Sequence, residues 1–452
     1  MHILKGYTKQ EISWMMYDWA NSAHSVIIVT LLPIFFDTVA GYTADSVSSM
    51  STWGYATSIA MLIVALAAPF LGVFGDIRGM RKKLFSFFML LGVAACAGMA
   101  FTPGMDFTSG PVAAGKVASL ILVLYIVSVI GFDASAIYYD AFLTDVTIED
   151  RMDKVSTMGY GLGYIGGSTI PLLIFLIMNL VGVPMLTCLA VVFGLTAVWW
   201  LAFSLPLLKN CEQTSGKPYE KGDVARSMKG VGTTIKEIIA NKPMLIYILS
   251  YFFYIDGVHT VISMATTYGT NLGLDSTGMM LALLLVQILG LPFCLLYIKC
   301  SEKFGARTMV GFGICVYMFI CIFAFFMNSL WQFWVLAVLC ATSQGGIQAL
   351  SRSMYGKLIP DKDRSGEFFG FFDIFGKFSS IMGPALVGVV SSVVANGMLG
   401  AQGLTAQTPT AEQIVAINAQ SSHYGILSII IIIIVGAVLY FGFLPKAEHA
   451  KQ

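Results

Sequence analysis

Apolar runs of about twenty residues, separated by short polar breaks, recur twelve times along this chain. A bilayer core about 30 Å thick calls for roughly 20 apolar residues per helix. On that basis the spans fall at about 13–37, 52–74, 84–102, 118–142, 156–181, 184–207, 244–269, 276–298, 308–327, 330–356, 367–395 and 423–444. The runs are continuous and lack period-two alternation, which excludes a β-barrel. Two longer polar stretches interrupt them. The first, about 208–243, opens with turn formers and then spaces Val224, Met228, Val231, Ile235 and Ile238 for one face of an amphipathic helix. A basic helix of this kind can lie on an anionic leaflet; a solvated linker is the alternative. The second, about 396–422, is rich in Ala, Gln, Thr and Gly and reads as an extracellular loop of little structure.

Composition agrees with a polytopic membrane protein. Of 452 residues, 57% are hydrophobic and 11% charged, against about a quarter charged in soluble chains. A net charge of +1 gives no reason to expect nucleic acid as a partner. The distribution of Lys and Arg fixes the orientation. With the N-terminus cytoplasmic, inside loops hold Arg78, Arg81, Lys82, Lys83, Arg151, Lys154, seven basic residues from Lys209 to Lys242, then Lys299, Lys303, Arg307, Lys357, Lys362 and Arg364. Outside loops hold only Lys116. Both ends are therefore expected inside. The first apolar run has no small-residue cleavage site and reads as a retained span. None of the eight cysteines forms a C-x-x-C pair, so neither a zinc site nor a redox dithiol is expected.

The chain repeats itself. In "GVFGDIRGMRKK" stand Asp76, Gly79 and Arg81; 226 positions later, in "CSEKFGARTM", stand Glu302, Gly305 and Arg307. Asp150, Arg151, Gly163 and Pro171 recur 213 positions later as Asp363, Arg364, Gly376 and Pro384. Two motif pairs in corresponding loops argue for duplicated six-helix bundles, the parallel-repeat plan of secondary transporters, whose solute site lies near the midplane between the halves. The expected division is 1–207 for the first bundle, 208–243 for the linker and 244–452 for the second. Gly79 permits a tight turn. The acid beside it can face the positive end of a neighbouring helix. Asp76, Gly79, Arg81, Glu302, Gly305 and Arg307 are thus candidate gating residues, or charged loops that only fix topology.

"GVFGDIRGMRK" resembles the loop signature of the major facilitator superfamily, G-x-x-x-D-R-x-G-x-R-K, with Ile77 where a basic residue is expected. "YDWANSAHSVII", "YFFYIDGVHTVI", "SQGGIQALSRSMYGKLIP" and "GEFFGFFDIFGK" are similar to the bacterial group called unknown major facilitator family 1, kin of vacuole effluxers that release amino acids. The resemblance implies twelve helices in two pseudo-symmetric six-helix bundles, alternating access, a small solute, a bacterial inner membrane and a monomer.

Ionisable groups within spans cost about 2.5–3.5 kcal/mol or more each, so they normally face a cavity or a partner. Here they gather on the first and fourth helix of each half. The candidate substrate-binding residues are Asp18, Asn21, Ser22 and His24; Asp133 and Tyr138; Asp256 and His259; and Gln344, Gln348 and Arg352. The last three share one stripe at i, i+4 and i+8. Arg352 can clamp a carboxylate or snorkel to headgroups. Asp18 can contact solute or sit in a structural ion pair. Asp133 and Asp256 are candidate proton carriers, since burial and a bound cation push a carboxyl in opposite directions. Asp373 and Lys377 stand at i, i+4 as an ion pair, or Lys377 meets an anion. Gly159, Gly163 and Gly167 are spaced for close helix packing. No H-E-x-x-H, G-x-S-x-G or P-loop pattern occurs, so no enzyme, cofactor or metal is expected. The reading is a proton-coupled transporter of an amino acid or related zwitterion. The alternatives are a lipid or amphiphile flippase of the same fold and a receptor or scaffold without transport.

Overall fold

The computed structural model describes residues 4–43, 49–218, 223–401 and 411–444. Its helices are α1 (Lys9–Ala40), α2 (Ser49–Gly75), α3 (Met80–Met99), α4 (Pro111–Val146), α5 (Met152–Gly163), α6 (Ile170–Leu180), α7 (Met185–Asn210), α8 (Asp223–Ala240), α9 (Lys242–Asn271), α10 (Ser276–Phe304), α11 (Ala306–Phe325), α12 (Leu330–Leu358), α13 (Ser365–Ala401) and α14 (Ala411–Val438). A π-helical turn, Tyr164–Thr169, joins α5 to α6 within one span. Among the described residues, twelve helical stretches are long and apolar enough to cross a membrane. They fall on the twelve expected runs but overshoot them. At 36 residues, α4 is about 54 Å long, well beyond the hydrocarbon.

Contacts divide the chain into two compact units. The first is Met1–Thr233 with Gly356–Ile374; the second is Thr234–Tyr355 with Phe375–Gln452. The long helix α13 therefore gives its first turns to one unit and the rest to the other.

In the first unit α1 is central, packed on α4, α5 and α7. It begins with a capping box: Thr8 accepts from the Glu11 amide and Glu11 accepts from the Thr8 amide. The same Glu11 carboxylate takes hydrogen bonds from Thr147 and from two Arg151 nitrogens, each at 2.7 Å. One acid thus starts α1 and ties it to the turn after α4. Farther along, α1 lies against the glycine row of α5 and the π-turn. A Cβ on Gly167 would stand 2.6 Å from both the Ala23 amide nitrogen and the Trp19 carbonyl oxygen. Lipid offers no hydrophobic drive between helices, so such backbone contact is a main source of their cohesion. The π-turn frees a carbonyl, and Thr169 Oγ1 donates to the Tyr164 oxygen at 2.7 Å.

In the second unit α9 packs on α14, and α11 on α14. Each unit is stitched by a tyrosine on its first helix and a serine on its fourth: Tyr17 to Ser135 at 2.8 Å, and Tyr254 to Ser351 at 2.6 Å.

Two expectations need correction. In the stretch 396–422, expected as a loop, residues 396–401 and 411–422 are helical, belonging to α13 and α14, and 402–410 lie outside the described residues. A weakly apolar run rich in Ala and Gln can still favour helix. The amphipathic helix exists as α8, but its buried positions include Thr234 and Ile238 while Ile235 is 44% exposed. The side chains of Val224, Met228 and Val231 lie outside those described. The isoleucine run of α14 packs one face inside the unit: Ile429 and Ile433 are buried, whereas Ile431, Ile434 and Val438 are exposed.

The helix seam gives a direct test. Gly167→Val forces a side chain into backbone that has no room, and is expected to destabilise the protein by about 3 kcal/mol or more. Gly388→Val, where nothing lies within 4 Å, is expected to leave the melting temperature unchanged. Thermal unfolding in detergent compares the two.

Candidate functional site

The polar residues of the first unit fall into separate places. Asp18 and Ser22 face the glycine row: Ser22 Oγ donates to the Asp18 carbonyl at 2.6 Å, and a Cβ on Gly163 would stand 2.5 Å from Ser22 Oγ. Asn21 is buried and hydrogen-bonds the Tyr17 hydroxyl. His24 lies inside the bundle, with Nε2 3.2 Å from Ser128 Oγ and its ring stacked on Phe132 at 4.7 Å. Asp133 is buried on α4, and Asp140 is half-buried one face-repeat along. Tyr138 is buried under the α2–α3 loop, where a Cβ on Gly75 would meet its ring at 2.8 Å. The structure thus groups Asp18 with Ser22, and sends His24 and Tyr138 elsewhere.

The second unit gathers more. Asp256, fully buried on α9, accepts through Oδ1 from the Gly383 amide of α13 at 2.9 Å and from Thr260 Oγ1 at 3.4 Å. Only glycine fits there, since a Cβ on Gly383 would be 2.7 Å from Asp256 Oδ1. Oδ2 makes no hydrogen bond among the described residues. Three positions on, His259 Nδ1 lies 3.4 Å from Ser379 Oγ, hydrogen-bonds Gln348 and stands within electrostatic reach of Lys377. The result is a half-buried cluster of imidazole, amide, hydroxyl and ammonium on α9, α12 and α13. Arg352 is buried on α12. Gln344 lines a different space, an apolar cavity of about 100 Å³ walled by Val261, Leu283, Ile320, Met327, Phe333 and Leu336. Sequence reasoning gave Lys377 to Asp373 and missed Ser379. The spacing of Ser379 and Lys377 from Gly383 on α13 was the available signal.

Three of the candidate gating residues, Asp76, Gly79 and Arg81, meet in one dense joint in the first unit. Gly79, at φ +81°, turns the chain from α2 into α3. Arg81, with no exposed surface, donates to Asp76 Oδ1 at 2.9 Å, Asp145 Oδ2 at 2.5 Å and Ser365 Oγ at 2.8 Å. Asp76 in turn accepts from the first free amides of α13, Gly366 at 2.7 Å and Glu367 at 2.8 Å. A helix N-terminus carries unsatisfied N–H groups and partial positive charge, so the carboxylate is well placed. Burial pushes the Asp76 carboxyl up to about 7, against the opposing pull of Arg81 and the two amides. Glycines let the backbones meet: a Cβ on Gly366 would be 2.5 Å from the Gly72 oxygen, and one on Gly370 equally close to Ala68. Lys357 adds an ion pair to Asp153 at 2.7 Å. The repeated loop behaves differently. Gly305 again has positive φ, but Glu302 is exposed and Arg307 donates to the Leu444 carbonyl at 2.7 Å. Duplication kept the turn, while the acid is buried in the first loop and exposed in the second. Asp145 was missed from sequence.

Residues 7–397 match the family described as vacuole effluxer Atg22 like. The chain belongs to this family. An uncharacterized MFS-type transporter of Bacillus subtilis, YxiO, is 43% identical over 399 residues, 86% of this chain and 90% of that one. Autophagy-related protein 22-1 of Penicillium rubens is 25% identical over 274 residues, 55% of this chain but 46% of its own length. Among solved structures, the proton:xylose symporter XylE aligns with a TM-score of 0.68 at 14% identity, covering 97% of this chain and 94% of that one. A bacterial homologue of the iron transporter ferroportin aligns at 0.62 and 15%, covering 95% and 98%. Both likenesses establish the major facilitator fold alone. The protein is a membrane transporter of this superfamily.

The joint predicts a contrast between two substitutions. Asp76→Ala leaves Arg81 and two amides without their partner and is expected to cost about 3 kcal/mol. Asp76→Asn keeps an acceptor for an amide and is expected to cost less than half as much. Thermal unfolding of both variants measures the difference.

Proposed function

We propose that this transporter moves a small polar metabolite, an amino acid or related zwitterion, by alternating access coupled to protons. The observation that carries the reading is the Asp256–His259 segment of α9. It sets a buried carboxyl beside a cluster of imidazole, amide, hydroxyl and ammonium groups on neighbouring helices. Within the second unit, cationic Lys377 and Arg352 suit a carboxylate, and Asp256 suits an ammonium group. Asp256 Oδ2 is the atom to which a transported proton attaches, while Oδ1 stays bound to α13. Proton and solute then act on the same helix pair, as coupling requires.

The distribution of Lys and Arg supports cytoplasmic termini. The joint around Arg81 then lies on the cytoplasmic side, where we take it as a latch that opens and closes once per cycle. A 37-residue helix such as α13, shared between both units, suits the transmission of that movement. The amphiphile-carrier alternative has one observation in its favour, the apolar cavity of the second unit.

Asp256→Asn preserves the acceptor for Gly383 and removes the titrating oxygen. In proteoliposomes loaded with a mixture of neutral amino acids, an imposed pH gradient is expected to drive flux through the unsubstituted protein. The variant is expected to lose at least tenfold of the gradient-driven part while melting within a degree or two of the parent. Undiminished gradient-driven flux in Asp256→Asn removes the proton role from this residue. Stabilisation by lipids but by no amino acid favours the amphiphile reading.

A further inference from the structure

The polar stretch after α7 is more than a tether between halves. Its first residues are woven into the latch. Gln213 Oε1 accepts from the Gly79 amide at 2.9 Å and the Arg81 amide at 3.2 Å, while Nε2 donates to the Gly75 carbonyl at 2.9 Å. One side chain thereby satisfies the last turn of α2 and the first turn of α3. The next residues close on the third acid. The Thr214 amide, the Thr214 hydroxyl and the Ser215 amide all donate to Asp145 Oδ1, at 3.1, 2.9 and 2.9 Å. That leaves Asp145 Oδ2 for Arg81, whose Nη1 also donates to Ser215 Oγ at 3.1 Å. Two backbone bonds then run between the stretch and the loop, Lys217 amide to Asp76 carbonyl at 3.0 Å and Arg78 amide to Lys217 carbonyl at 2.9 Å.

Gly216 completes the weave. Its φ is +105°, and a Cβ there would stand 2.6 Å from the Asp76 oxygen and 2.7 Å from Gln213 Nε2. Its amide donates to Asp363 Oδ1 at 2.8 Å, on the 3₁₀ turn that leads into α13. The stretch therefore touches both faces of the latch, the α2–α3 loop and the approach to α13. Upstream it is anchored on α1, where Asn210 Nδ2 donates to Ser13 Oγ at 2.9 Å.

We infer that residues 213–217 form a strap that is the third working member of the latch, with Gln213 as its positioning residue: the strap holds the α2–α3 loop in the shape that presents Asp76 to Gly366 and Glu367. The inference rests on the reading of this joint as a latch. Any force on the linker then acts on the gate, because strap and gate share Asp145, Arg81 and Asp363. Movement of the helix that follows, α8, is one source of such force.

Hydrogen–deuterium exchange of the full-length protein in lipid nanodiscs tests this without any transported solute, so its failure leaves the transport reading intact. The reporter is the peptide 364–370, which holds the amides bound to Asp76 and contains no strap residue. Gln213→Ala and Gly216→Ala are each expected to speed exchange there about tenfold. Gln213→Glu keeps the acceptor for Gly79 and Arg81 but loses the donor to Gly75, and is expected to give a smaller rise. Acceleration confined to residues 75–82, no acceleration, or an equal rise in α14 overturns the inference; the first reduces Gln213 to a local cap.

Discussion

A guanidinium with no access to water, set between two carboxylates, governs how the first unit is assembled. With no water at hand, the hydrogens of Arg81 must look for acceptors inside the protein. The two terminal nitrogens find Asp76, Asp145, the Ala141 carbonyl, Ser215 and Ser365, drawn from four separate parts of the chain, while Nε has no hydrogen-bond partner among the described residues. Burying such a group is costly unless it is paired, and removing one partner of a buried pair is strongly destabilising. That sensitivity to each partner suits the latch proposed above.

The membrane sets a second rule. Within the helices, several polar groups that sequence marks as functional are also engaged structurally. Asp256 holds the backbone of α13, Ser22 returns to the carbonyl of Asp18, and His24 meets Ser128. Such engagement lets ionisable groups sit on spanning helices without facing acyl chains. It also means a solute or proton must compete with contacts already in place, and the energy of that competition can be carried to the helix on the other side.

Much of the architecture was legible because it follows from length and hydropathy alone: twelve spans, short turns, and a linker carrying an amphipathic helix. The turn at Gly79 and an acid able to face a helix end could also be read. What could not be read were the partners of that acid. Nothing in the pattern of α4 distinguishes Asp145 from Asp140, and nothing in "EQTSGK" marks Gln213 as a double cap, since these contacts join residues more than sixty positions apart. Residues 396–401 and 411–422 were misread because a weakly apolar run rich in Ala and Gln can still favour helix. The surroundings of His24 could not be read either, because a histidine buried against Phe132 and a neighbouring serine has the same sequence signature as one that faces a cavity. The repeat is legible in its letters but not in its burial: Glu302 is exposed where Asp76 is buried.

The central claim is that the Arg81 joint opens and closes as one unit. Spin labels at the exposed positions Arg78 and Lys362, on either side of the joint, allow double electron–electron resonance to read it in liposomes. Two distance populations are expected, with Asp76→Ala shifting weight to the longer one. A single short distance, unmoved by that substitution, would contradict the latch.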